Sequence, residues 1–162
     1  MASDEQPQPK PQQSSQKLSQ QPGQNQRSYR TDKIVVTWNP GICINSHNCV
    51  NGLPSVFRPK ERPWIQVDAA DADEVAQVVS RCPSGALHFE RIDGGAQEEI
   101  AEEATIAPQP NGPLYVRGWM RIMKPDGTLL REDSRMALCR CGQSHKKPFC
   151  DGSHRTADFE AD

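Results

Sequence analysis

Between Cys139 and His154 the chain places three thiols and one imidazole: Cys139, Cys141, Cys150 and His154. A segment this small cannot hold itself together by apolar burial, so its fold depends on what its donors bind. Cys139 and Cys141 are two apart, and extended chain sends both side chains to one side. Gly142 then permits a sharp turn. Cys150 and His154 are four apart and share a face if they lie on one helical turn. Pro148 blocks extension of that turn backwards, and Asp151 and Ser153 suit its first residues. The N-terminal end of such a turn favours thiolate over thiol. Gly152, without a Cβ, lets backbone come close to a bound group. The four residues read as a metal site. A tetrahedral zinc ion uses the same donors, although the gap from Cys141 to Cys150 fits common zinc-finger spacings poorly. His145, in the same run, is expected to be a solvated loop residue.

The run Cys139-x-Cys141-x2-Ser144-x3-Pro148-x-Cys150-Asp151-Gly152-Ser153-His154 resembles the CDGSH iron–sulfur domain family, the mitoNEET-like proteins, with no departure from its pattern. The resemblance implies one [2Fe–2S] cluster, with Cys139 and Cys141 on one iron and Cys150 and His154 on the other. Replacing a thiolate by a neutral imidazole makes such a cluster less negative and raises its potential. The imidazole nitrogen that does not bind iron can exchange a proton, so reduction is expected to depend on pH.

The other three cysteines are Cys43, Cys49 and Cys82, the last followed by Pro83. A Cys pair in a loop followed by a distant Cys-Pro is the skeleton of a bacterial-type ferredoxin site. Ser46 stands where the middle Cys of a complete site belongs. Three thiolates suit a [3Fe–4S] cluster; the alternative, a [4Fe–4S] cluster, needs a fourth ligand from Ser46, His47 or solvent. Residues 33–90 resemble the divergent mono-cluster ferredoxins. That resemblance rests on Cys43–Cys49, on Gly52-Leu53-Pro54-Ser55-Val56-Phe57 and on Arg81-Cys82-Pro83-Ser84-Gly85-Ala86-Leu87. Three buried structural thiols are the bland alternative.

Composition fits two small metal-stapled units. Only 35% of the 162 residues are hydrophobic, and each cysteine set lies within a short stretch. The cysteines divide three and three, which leaves an odd thiol in each set and argues against disulfides. No apolar signal segment or membrane-length run is visible, so a reducing, cytoplasmic setting without a membrane partner is expected. The net charge of −2 implies no nucleic-acid partner. Arg140, Lys146, Lys147 and Arg155 lie near the second cysteine set and suit an acidic redox protein. No triad, carboxylate pair or phosphate loop is present, so the expected role is not enzymatic. It is one-electron transfer with a reductase or oxidase partner. The alternatives are donation of clusters to apo iron–sulfur proteins, redox sensing, or a zinc-stapled interaction module. The chain is expected to be a monomer or homodimer.

Along the chain, residues 1–30 are rich in Gln, Pro and Ser and are expected to be disordered. Residues 31–92 are expected to form an α+β ferredoxin-like domain. It has strands at 33–38, 64–67 and 87–90, a short helix near 47–53 and an amphipathic helix over 71–81. Asp71 is its N-cap and Val75, Val78 and Val79 its apolar face. His88 alternates with Leu87 and Phe89 and is expected to face solvent. Residues 93–112 read as a flexible acidic linker. Residues 113–162 read as a β-rich CDGSH domain, with strands at 114–123 and 128–131 and with Tyr115 and Trp119 packed on one face.

Overall fold

The computed structural model describes residues 25–162 of the chain. The disordered tail expected over 1–30 lies, for residues 1–24, outside the described residues. Its last part differs from the expectation, because Arg27–Arg30 forms strand β1. That strand owes its place to pairing, since it runs antiparallel to β2 (Ile34–Trp38) with Tyr29 opposite Val36. In β2 the alternation holds: Ile34 and Val36 are fully buried while Val35 and Thr37 are half-buried. On its other edge β2 pairs with β3 (Leu87–Arg91), Val36 lying opposite Phe89.

Two helices close this first unit. Helix α1 (Asn48–Gly52) is a single short turn. Helix α2 (Ala72–Val79) buries Val75, Val78 and Val79 as its spacing predicts, and Asp71 occupies the N-cap position without a side-chain cap bond. The stretch expected as a strand at 64–67 contributes only an isolated bridge, Ile65 to Phe57, and Val67 opens a 3-10 turn. The core gathers Ile34, Val36, Phe57, Ile65, Val75, Val79 and Phe89.

The second unit is a three-stranded antiparallel sheet in the order β4 (Thr105–Pro108), β5 (Leu114–Met123), β6 (Leu129–Leu138). Strand β4 lies in the segment expected to be a linker, and β6 runs well beyond the predicted end at 131. The β5–β6 register breaks between Arg117 and Met120. Gly118 makes this possible: its φ is +94°, and a Cβ there would stand 2.8 Å from Ala104 Cα. The break separates the two aromatic residues expected on one face. Tyr115 packs inward, whereas Trp119 remains 38% exposed.

The units are joined by far more than the chain between them. Gln97 pairs its side-chain amide with β3, accepting from Arg91 N (3.0 Å) and donating to Arg91 O (2.7 Å). Glu98 accepts from the Arg135 guanidinium and lies 2.9 Å from His88 Nδ1. His88 is therefore buried, not solvent-facing, and its Nε2 reaches Asp133 Oδ1 at 3.2 Å. Period-two alternation hid this, because the second face of the strand is covered by the second unit. Arg135 also donates to the carbonyls of Val79 (2.7 Å), Cys82 (3.1 Å) and Leu87 (2.7 Å). Arg117 donates to Ser80 O (3.1 Å) and Arg131 to Ser84 O (2.6 Å). None of the helices among the described residues is long and apolar enough to cross a membrane.

Candidate iron–sulfur centres

The second cysteine set is held at the end of β6. Cys139 N donates to Pro148 O (2.9 Å) and Cys150 N to Ala137 O (2.8 Å), so the loop between them folds back beside the strand. Ser144 fixes that loop from inside: its hydroxyl donates to Phe149 O (2.7 Å) and accepts from Lys146 N (3.0 Å). Asp151 accepts from His145 N (2.9 Å), Ser153 N (3.0 Å) and the Ser153 hydroxyl (2.6 Å). Those donors hold its carboxyl well below the usual carboxylate range, the Ser153 hydroxyl most of all.

The helical turn expected from Cys150 to His154 is displaced. A 3-10 turn spans Ser153–Arg155, and Gly152 precedes it at φ +93°. A left-handed residue there breaks helical continuity, so Cys150 lies before the turn rather than on it. Its thiol is pushed up by burial, against the Gly152 N–H that donates to its sulfur at 3.3 Å.

Side-chain positions nevertheless match the spacing. Cys139 Sγ stands 3.8 Å from Cys141 Sγ, and Cys150 Sγ stands 3.5 Å from His154 Nδ1. The donors thus form two pairs. Among the described residues no three His, Cys, Asp or Glu side chains are grouped as a single bound ion requires. Burial raises the Cys139 thiol, but the backbone N–H groups of Ser144 and Gly142 outweigh it and favour the thiolate. Burial, then the neighbouring Arg155 charge, hold the His154 imidazole below its ordinary value, in the neutral form that binds metals. His145 is exposed as expected, 3.4 Å from Asp151.

The first set lines a cavity of about 400 Å³ with Trp38, Trp64, Ser46 and His47. Asn39 positions its loop, accepting from Gly41 N (2.9 Å) while its own N–H donates to Ala86 O (2.8 Å). Asn48 Nδ2 reaches Arg81 O (3.3 Å), tying the loop to the segment that carries Cys82. The three thiols feel one another. Burial and then the charge on Cys82 push Cys49 up to about 11, and burial raises Cys43. Raised thiols such as Cys43 and Cys49 ionise readily when a bound cation compensates the charge, which is the chemistry a metal cluster supplies. A second observation agrees. The indole N–H of Trp64 is buried and makes no hydrogen bond, and the Trp38 indole bonds toward the Cys43 sulfur. Both rings line this cavity, where a sulfur acceptor of a bound cluster would satisfy Trp64. The donor sets of both sites fit the groups that their sequences imply.

The basic residues expected to form a docking face are largely used internally. Arg140 donates to the carbonyls of Gly112, Gln109, Ala161 and Asp162 and stacks on Phe159. Lys146 reaches Gly41 O and Arg155 reaches Ile44 O, each at 2.8 Å. Sequence reasoning missed Trp38, Trp64 and Arg135, for which only their pairing across the fold supplies a signal.

Comparison with known proteins agrees with the two domain families. Residues 29–92 match the family model described as a divergent 4Fe-4S mono-cluster. Residues 111–155 match the model described as an iron-binding zinc finger of CDGSH type. The uncharacterized protein YjdI of Escherichia coli (strain K12) is 44% identical over 63 residues, covering 39% of this chain and 83% of that protein. Its counterpart in Escherichia coli O157:H7 matches equally. The chain belongs to the divergent 4Fe–4S mono-cluster family and carries a CDGSH domain after it. It therefore carries iron–sulfur domains and is an iron–sulfur binding protein.

Proposed function

We propose that the chain is a two-cluster carrier of single electrons. Cys139 and Cys141 hold one iron of a [2Fe–2S] cluster, and Cys150 and His154 the other. Cys43, Cys49 and Cys82 hold a [3Fe–4S] cluster. Ser46 and His47, on the same cavity wall, supply candidates for the fourth corner of the alternative [4Fe–4S] cluster. The observation that carries this reading is the arrangement of the second donor set as two close pairs, 3.8 and 3.5 Å apart. When bound, each cluster supplies a site that gains or loses one electron. The protein's residues supply thiolates, a neutral imidazole and the unpaired Trp64 indole N–H.

The partners are redox proteins of the reductase or oxidase type, and the chain itself is not an enzyme. The partial exposure of Cys139, Cys141 and His154 favours a second role, donation of the [2Fe–2S] cluster to apo-proteins. Reduction at the second site depends on pH through His154. A potential that stays flat between about pH 6 and pH 9 would remove that assignment.

Anaerobic purification with iron, sulfide and zinc analysis, followed by EPR before and after dithionite, tests the whole reading. About five irons per chain are expected, with one signal in the oxidised protein and another on reduction. About two irons and no oxidised-state signal would leave the first unit without a three-iron cluster. Stoichiometric zinc without iron would overturn the redox function.

A further inference from the structure

The two candidate centres touch through the residues that follow their ligands. Ile44, next after Cys43, is 2% exposed and packs against Cys150 and Ala137, with Tyr115 alongside. Arg155, next after His154, donates from Nη1 to Ile44 O at 2.8 Å. Gly152 belongs to the same junction: a Cβ there would stand 3.4 Å from both Ile44 O and Arg155 Nη1. Lys146 Nζ adds a second tie to the loop, on Gly41 O at 2.8 Å. One peptide step from a candidate ligand of the first site, the chain meets a candidate ligand of the second across a buried apolar contact.

We propose that the two centres exchange an electron within the chain across the Ile44–Cys150 contact, and that Arg155 is the residue that positions it. The proposal rests on the two-cluster reading. Electron tunnelling weakens steeply with distance and with gaps in packing, and here Ile44, which also lines the first cavity, packs directly on Cys150. The direct route runs from Cys43 through its own peptide and the Ile44 side chain to Cys150. The guanidinium does not carry the electron. It clamps the Ile44 carbonyl so that the loop stays seated, and its charge lies near both sites. The step moves one electron: the reduced centre loses it and the oxidised centre gains it. No bond forms or breaks, and the charge of the protein is unchanged. The first electron comes from a low-potential one-electron donor, which in the test is a photoreduced deazaflavin.

The test uses the full chain, loaded with both clusters and assayed for iron and sulfide. Less than one electron per molecule is delivered by a light flash, and the two optical signatures are followed. The expected result is a re-equilibration whose first-order rate does not change with protein concentration. Arg155→Gln, with unchanged cluster content, is expected to slow that phase by about tenfold or more, as loss of a positioning contact commonly does. Arg155→Lys keeps a cationic donor and is expected to restore most of the rate. Ile44→Val thins the contact and slows it without touching the clamp. A rate that rises with protein concentration, or one untouched by both Arg155→Gln and Ile44→Val, overturns the proposal while leaving the two-cluster reading intact. A single cluster per chain overturns both.

Discussion

His88 has a carboxylate at each ring nitrogen, Glu98 at 2.9 Å and Asp133 at 3.2 Å, with Arg135 against the same Glu98. Burial opposes its protonation, but the two acidic partners win and raise it from 6.5 to about 9. A folded-state value above the unfolded one stabilises the protein fully below about pH 6.5, and that contribution fades as pH climbs through about 9. The melting temperature of the loaded protein is therefore expected to fall across this window. The fall should flatten in His88→Gln, and a wild-type curve already flat there would show that the imidazole is not charged in the junction. A second residue-scale prediction concerns Trp64. Its buried N–H has no protein partner, and a donor aimed at cluster sulfur stabilises the extra negative charge of the reduced state. Trp64→Phe is expected to lower the potential of the first centre, measured by spectroelectrochemical titration. An unmoved potential would place that N–H away from the cluster.

At the scale of elements, the C-terminal end of α2 shows how one unit completes the other. A helix leaves its last carbonyls without partners. Here Val79 O and Ser80 O are taken by Arg135 and Arg117, cations placed at the negative end of the helix. The turn after it, Cys82 to Leu87, presses directly on β6. Gly85 sits at φ +72°, and a Cβ there would lie 2.5 Å from Arg135 O and Asp133 Oδ2. Gly85→Ala is expected to cost roughly 1–3 kcal/mol, combining a left-handed backbone with overpacking. Denaturant unfolding of the loaded protein checks this, and an unchanged midpoint would mean that the units do not pack through this turn. The same element marks what a sequence can reveal. The faces of α2 and β2 were legible because their periodicity repeats within a few residues. The donor pairs were legible because covalent spacing alone brings Cys139 to Cys141. Strand β1, the burial of His88 and the inward turn of Arg140 were not. Each depends on a partner far along the chain, and exposed and buried polar residues look alike until that partner is placed.

For the molecule as a whole, Arg135 is the pin between units. Its side chain and that of Glu98 are both nearly inaccessible to solvent, at 5% and 4% exposure. Arg135→Ala leaves Glu98 buried without its cation and frees three carbonyls, a change expected to cost about 3–5 kcal/mol. Small-angle scattering of the loaded variant should show a larger radius of gyration, as the units separate while their clusters persist. An unaltered profile would show that the remaining contacts suffice. The direction of the bonds at this junction has one further consequence. Among the described residues, Arg117, Arg131, Arg135, Lys146 and Arg155 of the second unit all donate to main-chain carbonyls of the first. His88 supplies side-chain exceptions, with Asp133 and with Arg135. Carbonyls are present whatever the sequence, so these bonds survive most side-chain changes on the first unit, with Gly85 and Ile44, which pack on the second unit, excepted. The donors that hold the seam, four arginines and one lysine, thus lie on one side, and the other side need keep only a few packing positions and His88.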